Sequence, residues 1–410
     1  MSSDIGNKLA NKELLQRRQM ELDSLLEVIK AISTNESEEH LYKMYAFILR
    51  AEVGFDTITV FYKSDQWEKT FSMGEQQDGL LILDERWLDY KDIIHISDID
   101  NTEAYSFMEL LVPVYHKAEA LAFVLLGRSK IDKLFHDEQL RFIKTLTYII
   151  IIAIENKYLF KRQLAQERFK QEIAMAEKVQ SMLIPKKLPN NREMLFDAFY
   201  IPHYNISGDY YDVIAINEAE TLVCIADVSG KGIGAAMIMS NLQAMMHVYA
   251  KENLPLTELV QKLNRHIFDI TDGEAYITLF VAVYNAESRS LHYLNAGHYP
   301  PLLIVHNRVK ELTQGCYMLG SFKQIEKIDS EIISISENSH LLLFTDGLTD
   351  LTNENGEILS EELLRKYVLK ILSNENREVP FSQKLLKYLY TFKGNEPFTD
   401  DISVLYWHIF

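Results

Sequence analysis

The sequence predicts an α+β protein in which two sheet-containing regions are joined by one long amphipathic helix, and three observations predict it. Short β-branched runs separated by polar turns gather between residues 57 and 128 and again beyond residue 195. Between them, Asn156–Leu183 contains no Gly or Pro. Its apolar or small residues fall at Tyr158, Ala165, Phe169, Ile173, Ala176, Val179 and Leu183, at steps of three and four or their sum. Finally, 410 residues correspond to two or three domains at roughly 100–200 residues each.

Charge narrows the function classes. The chain carries 42 Lys+Arg against 59 Asp+Glu, a formal net charge of −17. Nucleic acid and anionic membrane surfaces are therefore disfavoured as main partners, because both require a cationic face. A hydrophobic share of 47% with only 16 Gly and 9 Pro describes folded domains, not a disordered chain. The two cysteines, Cys224 and Cys316, have no metal-like spacing, so neither a disulfide framework nor a zinc knuckle is expected. Met1–Arg18 lacks the apolar stretch of a secretory signal, and the most apolar run, Tyr148–Ile154, is far shorter than the ~20 residues that span a bilayer. A cytoplasmic protein with a buried helix at that run is the expectation.

In chain order, Glu13–Ile32 reads as a leading helix closed by Ser33-Thr34-Asn35. Thr57–Tyr62, Leu80–Leu83, Leu110–Tyr115 and Leu121–Arg128 read as strands of a first sheet. Asp137–Glu155, apolar at Leu140, Ile143, Leu146 and Ile150, reads as the helix that closes it. Asn156–Leu183 then forms a narrow seam most economically buried against a second copy, with a helix folded back on its own domain as the alternative; Pro185 stops it. Beyond Leu195, strands are expected at Leu222–Ala226, Ile277–Tyr284, Leu291–Leu294, Leu302–Val305, Leu341–Phe344 and Ile402–Trp407. Helices are expected at Ala235–Ala250, Leu256–Ile270, Glu361–Leu372 and Phe381–Tyr390. The resulting division is 1–19, a helical extension; 20–155, the first sheet domain; 156–183, the linker helix; and 184–410, the second sheet domain.

The second domain concentrates acidic residues at strand ends, in company with glycine. Asp209 and Asp212 lie in Ser207-Gly-Asp-Tyr-Tyr-Asp, Asp227 ends Ile225-Ala-Asp-Val-Ser-Gly-Lys-Gly, Asp346 ends Phe344-Thr-Asp-Gly, and Asp400-Asp401 open the last strand. Strand ends deliver side chains rigidly into a shared cleft. Carboxylates converging without lysine partners repel one another, and divalent cations resolve the conflict. Oxygen ligands without His or Cys point to Mg²⁺ or Mn²⁺. Two such ions about 3.5–4 Å apart acidify a bridging water for in-line attack on a phosphoryl group, so phosphate-ester hydrolysis is the inferred chemistry. Glycine beside each Asp lets the backbone approach the metals. An isolated Asp-Gly is an ordinary turn; the joint occurrence carries the inference. Gly230-Lys231-Gly232 lacks the spacing and the following Ser/Thr of a nucleotide-binding loop. His298 is either a general acid for the leaving oxygen or, the favoured role, a hydrogen-bonding residue of its turn.

Residues 174–410 resemble the SpoIIE branch of PPM-type (type 2C) metal-dependent serine/threonine phosphatases. The resemblance runs through six motifs in order: Ala176-Glu-Lys-Val-Gln-Ser-Met-Leu-Ile-Pro185, Gly208-Asp-Tyr-Tyr-Asp212, Ala226-Asp-Val-Ser-Gly-Lys-Gly232, Asn295-Ala-Gly-His-Tyr-Pro-Pro301, Phe344-Thr-Asp-Gly347 and Asp400-Asp-Ile-Ser403. It implies a sandwich of two antiparallel sheets with helices outside. It also implies that Asp209, Asp227, Asp346 and Asp400 are the catalytic metal ligands, with the Val228 carbonyl as a backbone ligand and Asp212 and Asp401 as secondary candidates. Many relatives hold phosphate with an arginine shortly before the first metal Asp; Tyr204 and its neighbours offer none, which leaves phosphate to metal and water.

Residues 20–155 resemble a GAF domain in element order, through Gly54-Phe-Asp-Thr-Ile-Thr-Val60, Leu110-Leu-Val-Pro-Val114 and Leu121–Leu126. The absence of cysteine before residue 224 argues against a thioether-attached bilin, and Ser129-Lys130, Phe135 and Asp137-Glu138 depart from the cyclic-nucleotide signature. Whether a small molecule or a protein signals there stays open. The two resemblances together imply a bacterial signalling phosphatase acting on phosphoserine or phosphothreonine of a STAS-type antagonist in a partner-switching pathway, and the linker seam predicts a homodimer. The alternatives are a catalytically silent scaffold that retains the fold, and a ligand receptor.

Overall fold

The computed structural model describes residues 2–74, 83–99, 105, 107–128, 137–203, 206–252, 254–373 and 379–410. The expected strand Leu80–Leu83 lies almost wholly outside the described residues, as do Tyr204, Ser129-Lys130 and Phe135. The chain divides into two compact units, Met1–Glu167 and Arg168–Phe410.

In the first unit, α1 (Ser2–Ser33) and α2 (Glu38–Ile48) precede five strands: β1 (Thr57–Lys63), β2 (Trp67–Met73), β3 (Ile94–His95), β4 (Leu110–His116) and β5 (Glu119–Gly127). They form one antiparallel sheet in the order β2-β1-β5-β4-β3. The period-two alternation of strands sorts its side chains. Ile58, Val60, Val112, Val124 and Leu126 enter a core shared with Leu41 and Tyr45 of α2 and with Ile143, Leu146 and Ile150 of the following helix. Phe61, Leu111, Phe123 and Leu125 meet Trp87 on the opposite face. β2 escapes a sequence reading because Trp67-Glu-Lys-Thr-Phe-Ser-Met is mostly polar and lies on an exposed edge.

The two helices expected at 137–155 and 156–183 are one, α3 (Asp137–Gln180), which runs across the division at 167/168. No Gly or Pro interrupts it, and the apolar run expected to be buried is so: Ile150, Ile151, Ala153 and Ile154 lie in the core. The helix ends three residues earlier than Leu183. Met182 N–H donates to the Val179 carbonyl and Leu183 N–H to the Gln180 carbonyl, tighter i→i−3 bonds that close the last turn before Ile184, whose following proline excludes helical geometry.

The second unit is a sandwich. One sheet has the order β13-β10-β9-β8-β7, with β14 also on β10; the other has the order β12-β11-β15-β16-β6. The strands of the first are β7 (Tyr210–Ala215), β8 (Glu220–Val228), β9 (Ile277–Asn285), β10 (Ser290–Ala296), β13 (Gly315–Cys316) and β14 (Glu331–Ser334). Those of the second are β6 (Met194–Ile201), β11 (Leu302–Val305), β12 (Arg308–Glu311), β15 (Ser339–Phe344) and β16 (Ile402–Ile409). All described pairings are antiparallel except β10 with β13. Alternation along β15 and β16 aims Leu341, Leu343, Leu405 and Trp407 at the core shared with the first sheet. The intervening Leu342, Phe344, Val404 and Tyr406 face α6 (Glu361–Ser373) and α7 (Phe381–Lys393). Helices α4 (Ile233–Ala250) and α5 (Leu256–Thr271) cover the first sheet, burying Met239, Leu242, Leu259 and Leu263. All four helices and six strands expected beyond residue 195 are present with ends shifted by at most a few residues.

Candidate active site

Four strands deliver acidic residues to one end of the sandwich. Asp209 immediately precedes β7 and Asp227 is the penultimate residue of its neighbour β8. In the other sheet, Asp346 follows β15 by two residues and Asp400-Asp401 immediately precede its neighbour β16. The two sheets meet here directly: Thr345 Oγ1 donates to Asp209 Oδ2 at 2.7 Å and accepts from Ser403 N–H at 2.9 Å.

Electrostatics records the convergence. Asp209, 1% exposed, is pushed well above the usual carboxylate range by burial and then by the charge of Asp227, against the Thr345 hydroxyl. Asp227 is pushed up to about 7 by burial, then by Asp346; Asp400 and Asp401 act in the same direction, and a hydrogen bond with Asp209 opposes them. Asp346 is raised by burial and by Asp400 and Asp350. The result is a set of mutually repelling oxygens in a shared, poorly solvated space.

Two glycines permit the backbone to close on this space. A Cβ on Gly208 would lie 2.9 Å from the Val228 carbonyl oxygen, and one on Gly347 would lie 2.0 Å from the Asp401 carbonyl oxygen. Any side chain at either position would push apart the strand ends that carry Asp209 and Asp346.

Asp212 and Asp401 are engaged differently. Asp212 lies three positions after Asp209, an odd step that strand alternation turns to the opposite face. Asp212, 4% exposed, takes its hydrogen bonds from Tyr210 OH at 2.7 Å and from His247 Nε2 of α4 at 2.8 Å. Burial raises Cys224 and Tyr210, which lie beside it. This is a polar network under α4, and it does not bring Asp212 to the other carboxylates. Asp401 stays near them in charge, but its Oδ1 accepts from His203 N–H at 2.7 Å.

His298 is 6% exposed and shares a hydrogen bond with Thr278 Oγ1 at 2.8 Å through Nδ1, while Asn295 Oδ1 and Nδ2 hold the His298 backbone. Burial lowers it to about 4. These bonds brace the Asn295–Pro301 turn.

Sequence reasoning passed over three side chains that organise the site. Thr345 lies between Phe344 and Asp346, where nothing in the local sequence marks its hydroxyl. Gln180, 6% exposed at the end of α3, pairs both ways with the Ser207 backbone: its Nε2 donates to the Ser207 carbonyl at 2.5 Å and its Oε1 accepts from Ser207 N–H at 3.1 Å. Ser207 Oγ in turn accepts from Asp209 N–H at 3.0 Å. Lys231 Nζ lies 2.9 Å from Asp400 Oδ2. A polar residue spaced to interrupt an apolar seam, as Gln180 does in Val179-Gln180-Ser181, is the only advance signal.

Among the described residues, no three His, Cys, Asp or Glu side chains converge tightly enough to ligate one ion unaided. Mg²⁺-like ions keep most of their waters and take only one or two protein carboxylates each. An oxygen-only donor set of strand-end carboxylates with an approachable carbonyl at Val228 therefore fits a hydrated pair of hard cations.

Residues 217–410 match the family model described as stage II sporulation protein E (SpoIIE), a span that takes in Asp227, Asp346 and Asp400 and begins after Asp209. Phosphoserine phosphatase RsbU of Bacillus subtilis (strain 168) is 30% identical over 198 residues, 47% of this chain and 57% of RsbU. Phosphoserine phosphatase RsbP of the same organism is 29% identical over 188 residues, 45% of this chain and 46% of RsbP. The chain thus spans about half the length of these relatives. Among solved structures, the SiaA-PP2C domain of Pseudomonas aeruginosa is similar in fold, with a TM-score of 0.50 at 15% identity over 60% of this chain and 99% of that domain.

Proposed function

We propose that this chain is a metal-dependent protein serine/threonine phosphatase, with two Mn²⁺ or Mg²⁺ ions held by Asp209, Asp227, Asp346, Asp400 and the Val228 carbonyl. The observation that carries the reading is the convergence of carboxylates from two sheets, Asp209 buried and Asp227, Asp346 and Asp400 half-buried, with Asp209 held across the sheets by Thr345. The match of residues 217–410 to SpoIIE and the similarity of the chain to two phosphoserine phosphatases support the same conclusion. A bound ion pair supplies an acidified water and neutralises phosphoryl charge. The protein's part is to hold Asp209 and Asp227 against their repulsion, to keep the Val228 carbonyl accessible through Gly208, and to exclude bulk water.

The substrate in this reading is a phosphoserine or phosphothreonine protein, specifically a STAS-type antagonist of a bacterial partner-switching pathway. Residues 20–155 form a GAF-like sensory domain; the antiparallel sheet of that region, with its helical cover, supports this. The linker pairs with a second copy: Phe169 and Val179 of its seam expose more than half of their surface. Ordering of that helix acts on Asp209 through Gln180 and Ser207. No helix among the described residues is long and apolar enough to cross a membrane.

The test is phosphate release from a phosphoserine protein by the purified chain. Release that needs Mn²⁺ or Mg²⁺ and disappears in a folded Asp346→Asn variant supports the reading; metal-independent release, or an active variant, refutes it. Light scattering tests the pairing, with a monomeric full-length chain as the contrary result.

A further inference from the structure

We propose that the open edge of β6 is a docking site for an extended, acidic segment of a partner protein, which adds to the second sheet as a further strand. Such docking does not depend on the phosphatase activity proposed above. The order β12-β11-β15-β16-β6 leaves β6 at the end of its sheet. It pairs with β16 over its whole length without a bulge, from Met194 opposite Ile409 to Ile201 opposite Ile402. Phe410 N–H donates to the Glu193 carbonyl at 2.9 Å, so the residues hydrogen-bonded toward β16 are the odd-numbered ones. Antiparallel alternation then turns the N–H and C=O groups of Met194, Phe196, Ala198 and Tyr200 to the open side.

The preceding segment already uses half of that side. Asn191 N–H donates to the Met194 carbonyl at 2.9 Å, and Met194 N–H donates to Asn191 Oδ1 at 2.8 Å. Phe196 N–H donates to Asn190 Oδ1 at 2.6 Å, and Asn190 Nδ2 donates to the Phe196 carbonyl at 3.2 Å. Two asparagines thus stand in for a neighbouring strand, and they stop there. Ala198 and Tyr200 have no such backbone partner among the described residues, and beside them lies a groove of about 780 Å³ lined also by Ile184, Lys186, Lys187 and Leu188. Proteins ordinarily guard an edge of this kind with charge, proline or brevity. At the other end of the sheet β12 has four residues, among them Arg308, Lys310 and Glu311. Phe196–Tyr200 has one charged residue, Asp197, whose Oδ2 accepts from Ser382 N–H at 2.7 Å.

Charge selects the occupant. Lys186 and Lys187 are exposed and form no ion pair among the described residues, on a chain whose net charge is −17. In strand addition main-chain hydrogen bonds supply affinity and side-chain contacts supply specificity. Here the outward groups of Ala198 and Tyr200 supply the first, and carboxylates of the segment meeting the two lysines supply the second.

The experiment measures fluorescence anisotropy of two short labelled peptides with the full chain, one alternating valine with glutamate and the other valine with lysine. Wild type is compared with Ala198→Pro, which removes one outward N–H at an edge position where proline is tolerated, and with Lys186→Glu combined with Lys187→Glu. The glutamate peptide is expected to bind wild type with a dissociation constant below about 1 mM and the lysine peptide about tenfold or more weakly. Ala198→Pro and the paired lysine reversal should each weaken the glutamate peptide about fivefold or more. Absence of binding to wild type, equal binding of the two peptides, or undiminished binding by the lysine reversal overturns the proposal. The lysine reversal leaves the strand untouched and decides the matter even if Ala198→Pro fails to fold. Self-association of wild type that light scattering finds lost in a folded Ala198→Pro assigns the edge to a second copy, and also overturns it.

Discussion

The Thr345 hydroxyl donates to Asp209 Oδ2 at 2.7 Å, joining the end of β15 in one sheet to the start of β7 in the other. Because the same oxygen accepts from Ser403 N–H, one hydroxyl fixes the spacing of three chain segments around the most buried carboxylate of the site. Thr345→Val keeps the shape and removes the hydroxyl, leaving Asp209 Oδ2 and Ser403 N–H without it. The expected cost is about 1–3 kcal/mol of stability, measured by urea unfolding, together with weaker Mn²⁺ binding. Unchanged values for both would show that the bond has no such role.

Gln180 offers a second handle, since its amide grips both polar groups of the Ser207 peptide two residues before Asp209. Gln180→Leu preserves volume but leaves the Ser207 groups unpaired. The concentration of Mn²⁺ giving half-maximal activity should rise several-fold, while the rate at saturating metal stays near wild type. A fall in the saturated rate with no change in metal requirement would argue for a different function of this contact.

Metal binding should also be coupled to protons. Asp227 is held at about 7 and Asp209 is raised as well, so below neutral pH the metal-free site carries protons that a cation must displace. Mn²⁺ affinity is expected to climb as pH rises from 5.5 through 7 and then to level off. Calorimetry in buffers of different ionisation enthalpy, at about pH 6.5, should show net proton release. Binding without proton release would mean that these carboxylates are already ionised.

His298 gives the acid limb of stability. Its folded-state value is lowered to about 4 from an ordinary 6.5, so the unfolded chain binds more protons between those values and stability falls as pH drops through that window. The His298 contribution is complete above pH 6.5 and lost toward pH 4, a change of up to about 3 kcal/mol. His298→Asn should be less stable at neutral pH and show a flatter decline between pH 6.5 and 4 in denaturant titrations. An equally steep decline would place the proton uptake elsewhere.

What the sequence made legible follows from these same residues. β15 and β16 are dense in apolar side chains because both their faces are covered, one by the other sheet and one by α6 and α7, and such runs announce strands unaided. β7 announces itself poorly, because Tyr210-Tyr-Asp-Val-Ile-Ala hides a buried acid whose partner, His247, lies 35 residues away. β13 and β14 have two and four residues, too few for a period to show. At the site, the acidic strand ends could be found from composition and order, whereas the engagement of Asp212 by Tyr210 and His247 needed the fold. Thr345, Gln180 and Lys231 act through contacts with residues distant in sequence, which local pattern encodes weakly or not at all.

The most direct test is a count of Mn²⁺ ions bound per chain by calorimetric titration at pH 7.5, comparing wild type with Asp209→Asn and with Asp227→Asn. Two ions for wild type and fewer for either variant is the predicted result. No binding by wild type at millimolar Mn²⁺, or undiminished binding by both variants, would contradict it.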